Sequence, residues 1–203
     1  MNYDLFPDTD TQLIARFSFE PSNAPEHKSD LAKVIDDRAT NRKILMSQEI
    51  EESEYDRLHQ SIAGIPGARL QFYRDHDMKL EIGNMMGSMD RVRMLVKETH
   101  EDMVREIRWN KDEAESTKDG IDVATLEMPE SILAGLQMAK DPRVIDLLKK
   151  LDKGYALEGL MQYYAMFSDG IGMISHDDIG KATFFEGGRA VERVWLQASL
   201  DGI

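Results

Sequence analysis

Two periods alternate along the chain. The run TQLIARFSF (11–19) sets Leu13, Ala15 and Phe17 on one side, and ARLQFYRD (68–75) sets Leu70 and Phe72 against Arg69, Gln71 and Tyr73. The first has strand-like apolar content with an imperfect alternation, and the second reads as a half-buried strand. Elsewhere the spacing is helical. Leu31, Val34 and Ile35 form a stripe behind Ser29 as N-cap, and Tyr55, Leu58 and Ile62 form another behind Ser53, with Gly64 as its stop. From Asp77 to about Trp109 the pattern predicts two helices, divided near Gly87-Ser88 or around Lys97–Thr99. Pro129 suits the first turn of PESILAGLQMAK, and Asp141-Pro142 opens PRVIDLLKKLDKG, closed by lysines and Gly154. The last helix, about 178–200, carries Ala190, Val191, Val194, Trp195 and Ala198 on one stripe.

The segments between these carry turn chemistry. Residues 1–10 read as an exposed arm, EPSNAPEHK (20–28) as a loop, and NKDEAESTKDGID (110–122) as a polar loop ending in an Asp119-Gly120 turn. QYYAMFSDGIGMIS (162–175) fits a buried strand or a helix. Helices outnumber strands and no repeat of 20–50 residues occurs, which predicts a helix-rich α+β fold around a small antiparallel or mixed sheet. The expected organisation is an N-terminal arm and loop over 1–28, then one domain over 29–203.

Composition narrows the partners. With 38 acidic against 25 basic residues, the net charge of −13 argues against nucleic acid or an anionic membrane surface, both of which demand a basic face. The chain has no cysteine, which removes thiolate metal sites, cysteine nucleophiles and disulfides. The N-terminus lacks the basic and apolar regions of a signal peptide, and no run reaches the length of a membrane span. A cytoplasmic location is the expectation. The 13 methionines, clustered at Met85, Met86, Met89 and Met94, read as deformable core.

One stretch carries candidate chemistry. In IDDRATNRKIL (35–45), Arg38, Thr40 and Arg42 alternate, so an extended backbone would aim all three side chains to one side, with Lys43 beside them. Two guanidiniums and a hydroxyl form an anion clamp, each charge-assisted bond worth about 1.5–3 kcal/mol. Cations also suit a helix C-terminus, for about 0.3–1 kcal/mol, but that field fades within a turn and reaches Arg38 better than Arg42. Other candidates are weaker. The histidines His27, His59, His76, His100 and His176 show no metal-ligand spacing, and His100 reads as a solvated helix residue. His176-Asp177-Asp178 reads as an acidic helix cap, and Gly187-Gly188 as a point of close helix packing. No nucleophile motif or triad is present.

Arg38-Ala39-Thr40-Asn41-Arg42 resembles the R-x-[ST]-x-[RK] motif of flavin-dependent nitroreductase-like domains. The form R-x-T-N-R is similar to a divergent branch that includes the Acg-type proteins and domains fused to a ThiF-like adenylating domain. REIRW (105–109), the DGI at 119–121 and the final GGRAVERVWLQASLDGI (187–203) resemble further elements of that branch. The resemblance implies a nitroreductase-like fold, FMN held through its phosphate by Arg38, Thr40 and Arg42, and a homodimer. It implies electron transfer from NAD(P)H through the flavin to a small nitro- or quinone-type acceptor. The flavin would carry that chemistry, and no catalytic side chain is named. Two features depart from the family: IAGIPGARLQF stands where an N-x-Q-P-W-like loop is expected, and the chain ends at Ile203 where members continue. It therefore reads as a fragment or a shortened copy. A flavin-binding protein without turnover and a cofactor-free interaction module remain as alternatives.

Overall fold

The computed structural model describes residues 2–7, 13–21, 29–42 and 49–203. Lys43, His27 and most of the loop expected over 20–28 lie outside them. The fold is helix-rich α+β and divides into two interleaved units. Unit 1 comprises Met1–Ala39, Ile50–Phe72 and Gly172–Ile203, and unit 2 comprises Thr40–Glu49 and Tyr73–Ile171.

Unit 1 is organised by its longest helix, α8 (Lys181–Asp201), against α1 (Glu52–Ser61). The apolar stripe of α1 folds as its spacing predicts. Tyr55, Leu58 and Ile62 are buried together with Ile65, Leu70 and Ala190, the last fully enclosed. The cap differs from the expectation: Glu51, not Ser53, starts α1, in a reciprocal capping box with Glu54. Nor is Gly64 a left-handed stop, since the positive φ falls at Gly67, just before β3 (Ala68–Tyr73). β3 pairs with β6 (Ile171–His176), and Tyr55 packs edge-on to Phe72 at 4.7 Å. Two polar contacts tie α1 to α8: Arg57 pairs with Asp201 at 3.0 Å, and Arg193 Nε donates to the Ser61 carbonyl.

The N-terminal residues are not wholly an arm. β1 (Asn2–Leu5) pairs antiparallel with β2 (Ala15–Ser18), in the register Tyr3↔Phe17 and Asp4↔Arg16. Tyr3 explains why: its hydroxyl accepts from Arg189 Nη1 at 3.0 Å, and its ring lies 6.1 Å from Phe185, both on α8. The helix expected after Ser29 shrinks to a 3-10 turn, Asp30–Val34, with no side-chain cap. Only Leu31 of its stripe is buried and Ile35 is exposed, so little burial rewards extending it.

Unit 2 is helical. α2 (His76–Leu95) and α3 (Lys97–Glu106) divide at Val96, next to the second of the two predicted breaks. α2 packs along α7 (Gly159–Phe167), and two glycines set that approach. A Cβ at Gly83 would lie 2.8 Å from Ala165 Cβ, and one at Gly87 would lie 2.6 Å from the Glu158 carbonyl oxygen. Close packing was expected of Gly187-Gly188 instead; Gly188 has nothing within 4 Å of its Cβ direction.

The core of unit 2 joins Met94, Met103, Ile107, Val123, Ala139 and Ile145. His100 belongs to it: it is buried, with Nε2 at 2.6 Å from the Ala139 carbonyl oxygen, not solvated. β4 (Ile107–Arg108) and β5 (Ile121–Asp122) form a short parallel ladder, so the REIRW and DGI segments do meet. Residues expected as one polar loop between them contain α4 (Lys111–Thr117), capped by Asn110. α5 (Glu130–Met138) follows Pro129, and α6 (Pro142–Asp152) follows Asp141 as predicted. Asp141 accepts from the Arg143 side chain and backbone N–H, which hold its carboxyl down at about 2.

Candidate functional site

Residues 38–42 lie outside any helix, and burial alternates along them: Arg38, Thr40 and Arg42 are half-buried, Ala39 and Asn41 exposed. This is the alternation expected of an extended strand of chain. The three residues do not all belong to one unit. Arg38 is part of unit 1, whereas Thr40 and Arg42 are part of unit 2.

Arg42 is held by its own unit. Its Nη1 donates to the Thr125 carbonyl at 2.9 Å, its backbone N–H points to Glu127 Oε2 at 3.4 Å, and Tyr164 Oη donates to its carbonyl at 3.3 Å. Such a guanidinium fixes the chain at residue 42.

Arg38 has different surroundings. Its backbone N–H closes the preceding turn on Val34 O at 2.9 Å, and its guanidinium carbon stands 4.4 Å above the Trp195 ring. Nε is 3.6 Å from Glu192 Oε1, while Nη1 is buried with no hydrogen-bond partner. A one-turn 3-10 helix has almost no dipole to reward a cation, so finishing a helix does not explain this placement. Cation–π attraction to Trp195 and the ion pair with Glu192 do, yet they leave one donor without an acceptor.

Beside this pair runs an open apolar groove of about 370 Å³, lined by Gly172 and Ile174 from β6 and by Val191, Val194, Trp195 and Ala198 from α8. The residues on the α8 stripe other than Ala190 therefore form the floor of a groove. Gly172 also packs closely on β3, since a Cβ there would approach Phe72 Cε1 to 3.0 Å. Trp195 and Glu192 were not singled out as site residues from the sequence. Their i, i+3 spacing on the face that carries Val191 is a signal that becomes legible once Arg38 is placed.

The expected acidic cap of α8 does not form. Asp177 pairs with Arg69, and Asp178 Oδ1 accepts only from its neighbour Ile179, so neither caps α8, which starts from Gly180 without a side-chain cap. Among the described residues no three acidic or histidine side chains gather as a metal site. No helix of the described residues is long and apolar enough to cross a membrane.

No protein-family model matches the chain, and no solved structure does. The chain is similar to the uncharacterized protein MT1398 of Mycobacterium tuberculosis (strain CDC 1551 / Oshkosh), 29% identical over 199 residues. That match takes in 97% of this chain but 27% of the relative, so the chain spans about a quarter of the length of the relative it matches.

Proposed function

We propose that the groove of unit 1 binds a flat, anionic ligand of the flavin mononucleotide class, and that the chain serves an FMN-dependent NAD(P)H oxidoreductase acting on a nitro- or quinone-type acceptor. The observation that carries this reading is Arg38: a buried guanidinium donor without an acceptor, stacked on Trp195, which lines an apolar groove. The volume of about 370 Å³ falls within the range of small-ligand sites. Trp195 offers an aromatic surface for a planar ring, and Arg38 a charge-assisted bond to a phosphate oxygen. Glu192 opposes an anion, and its half-exposed carboxylate is free to turn to solvent when one binds. Bound flavin would supply the hydride and electron transfer; the chain's part is to seat the ring and hold the phosphate. The same motif makes Thr40 and Arg42 phosphate partners by resemblance, but Arg42 already donates to Thr125, so the reading rests on Arg38.

The test is titration with FMN, followed by flavin fluorescence and by the visible band retained after desalting. Arg38→Ala and Trp195→Ala are each expected to weaken binding at least tenfold, and Arg42→Ala to leave it within about threefold. An unmodified chain that retains no flavin from excess would reject the reading. A second reading, a cofactor-free interaction module, is favoured by the exposed face of α2.

A further inference from the structure

Three of the four clustered methionines of α2 are not core. Met85 is 58% exposed and Met89 is 65% exposed, and only Met94 of the expected cluster is buried. They belong to a longer series: Met78, Ile82, Met85, Met89, Val92 and, at the C-cap, Val96. The steps are four, three, four, three and four, which is the seam of a coiled coil. Met78, Val92 and Val96 are 40%, 56% and 42% exposed, and Ile82 is half-buried. Gly83 and Gly87, packed on α7, lie on the opposite side of the helix. One face of α2 is thus buried in unit 2 and the other presents an uncharged apolar seam, on a chain of net charge −13.

We infer that this seam pairs with the same seam of a second copy of the chain, antiparallel, about a two-fold axis at Gly87. The step pattern reads the same in both directions. In a two-fold antiparallel pair every seam residue therefore meets another: Met85 faces Met89, Ile82 faces Val92, and Met78 faces Val96. Met86, 38% exposed on the flank, comes beside its own counterpart at the axis. A closed, self-complementary contact of this kind is what a two-fold interface requires. Lys79 and Arg93 fall on a flank that faces itself. Each is held by its own chain: Lys79 donates to Ser168 O at 2.8 Å, and Arg93 reaches Glu106 at 3.2 Å.

The area favours a second copy. The seam is about 27 Å long on a helix about 10 Å across, so two of them with their flanks hide on the order of 1,000 Å² in total. That is the lower bound for a specific interface, and it is reached only by a partner whose seam is equally long. The expected dimer is weak, as befits an interface at the lower bound of size. The resemblance that implies FMN also implies a homodimer, but the exposure and spacing along α2 are observations separate from those behind the flavin reading.

Sedimentation equilibrium on the full chain tests it. The expected mass rises with concentration from 23.2 kDa towards twice that value. Met85→Glu/Met89→Glu is expected to weaken association at least tenfold with an unchanged circular dichroism spectrum, whereas Met138→Glu, on the equally exposed Met138 of α5, leaves it unaltered. Because the chain lacks cysteine, Met85→Cys and Met89→Cys give single thiols. Mixed together they should form the 85–89 disulfide faster than either forms a homodimer. A monomer at every concentration overturns the inference and leaves the seam to another helix, such as one in a longer chain. A dimer indifferent to the glutamates, or preferential 85–85 and 89–89 crosslinks, overturns the antiparallel pairing.

Discussion

His100 shows how a single side chain changes meaning between sequence and structure. In HEDMVRE it has charged neighbours and no metal-ligand partner, which suggests a solvated position. The fold places it on the inner face of α3 with Met103, and Nε2 meets Ala139 O at 2.6 Å. That carbonyl closes α5, where helix C-termini leave acceptors without partners. Replacing His100 by Ala removes the bond, orphans a buried carbonyl and opens a cavity. A loss of about 2–4 kcal/mol is expected in urea unfolding, with His100→Asn recovering part of it. Arg38 is the converse case: the alternation of burial over 38–42 was legible from the R-x-T-x-R spacing, but the partners of Arg38 were not. Glu192 and Trp195 come from the far end of the chain, and local pattern carries no information about such contacts.

At the scale of elements, legibility followed burial. α1, α6 and α8 each bury a stripe or carry caps at both ends, and each was read to within a few residues. α4 buries nothing; it stands on Asn110 as cap and on Glu113, whose carboxylate accepts from Trp109 N–H at 2.8 Å, so no hydrophobic period announced it. β1 was missed for a different reason, because what orders it is Tyr3 meeting Arg189 and Phe185 on α8. The glycines of the helices separate two kinds of position that composition alone treats alike. Gly87→Ala gains helix propensity of about 1 kcal/mol but drives a methyl into the Glu158 backbone, and a net loss of about 1–3 kcal/mol is expected. Gly188→Ala meets nothing within 4 Å and should stabilise by about 0.5–1 kcal/mol. Thermal denaturation of the two variants reads the opposite signs directly.

For the whole molecule, the division into two units follows from two cores that share no buried residue, Tyr55 to Ala190 in one and Met94 to Ile145 in the other. Ala190 is the fully enclosed centre of the first. Ala190→Leu overfills it, and hydrogen exchange should accelerate in peptides from α1, β3 and α8 while those from α2, α3 and α6 keep their protection. Uniform acceleration throughout the chain would show a single cooperative unit instead. The sequence carried the helix-rich α+β class but not this division, because each run of chain looks alike whichever core it joins.

The interleaving also orders events during synthesis. Residues 73–171 are made between the two halves of unit 1, so α2 to α7 are all available before α8 exists. Translation at about 5–20 residues per second takes roughly 5–20 s to cross that stretch. For this interval Tyr55, Leu58 and Leu70 have emerged, but Ala190 and the helix that covers them have not. Of the two units, the one whose chain begins earlier is thus completed later, and its early apolar residues wait for α8 before their core can close.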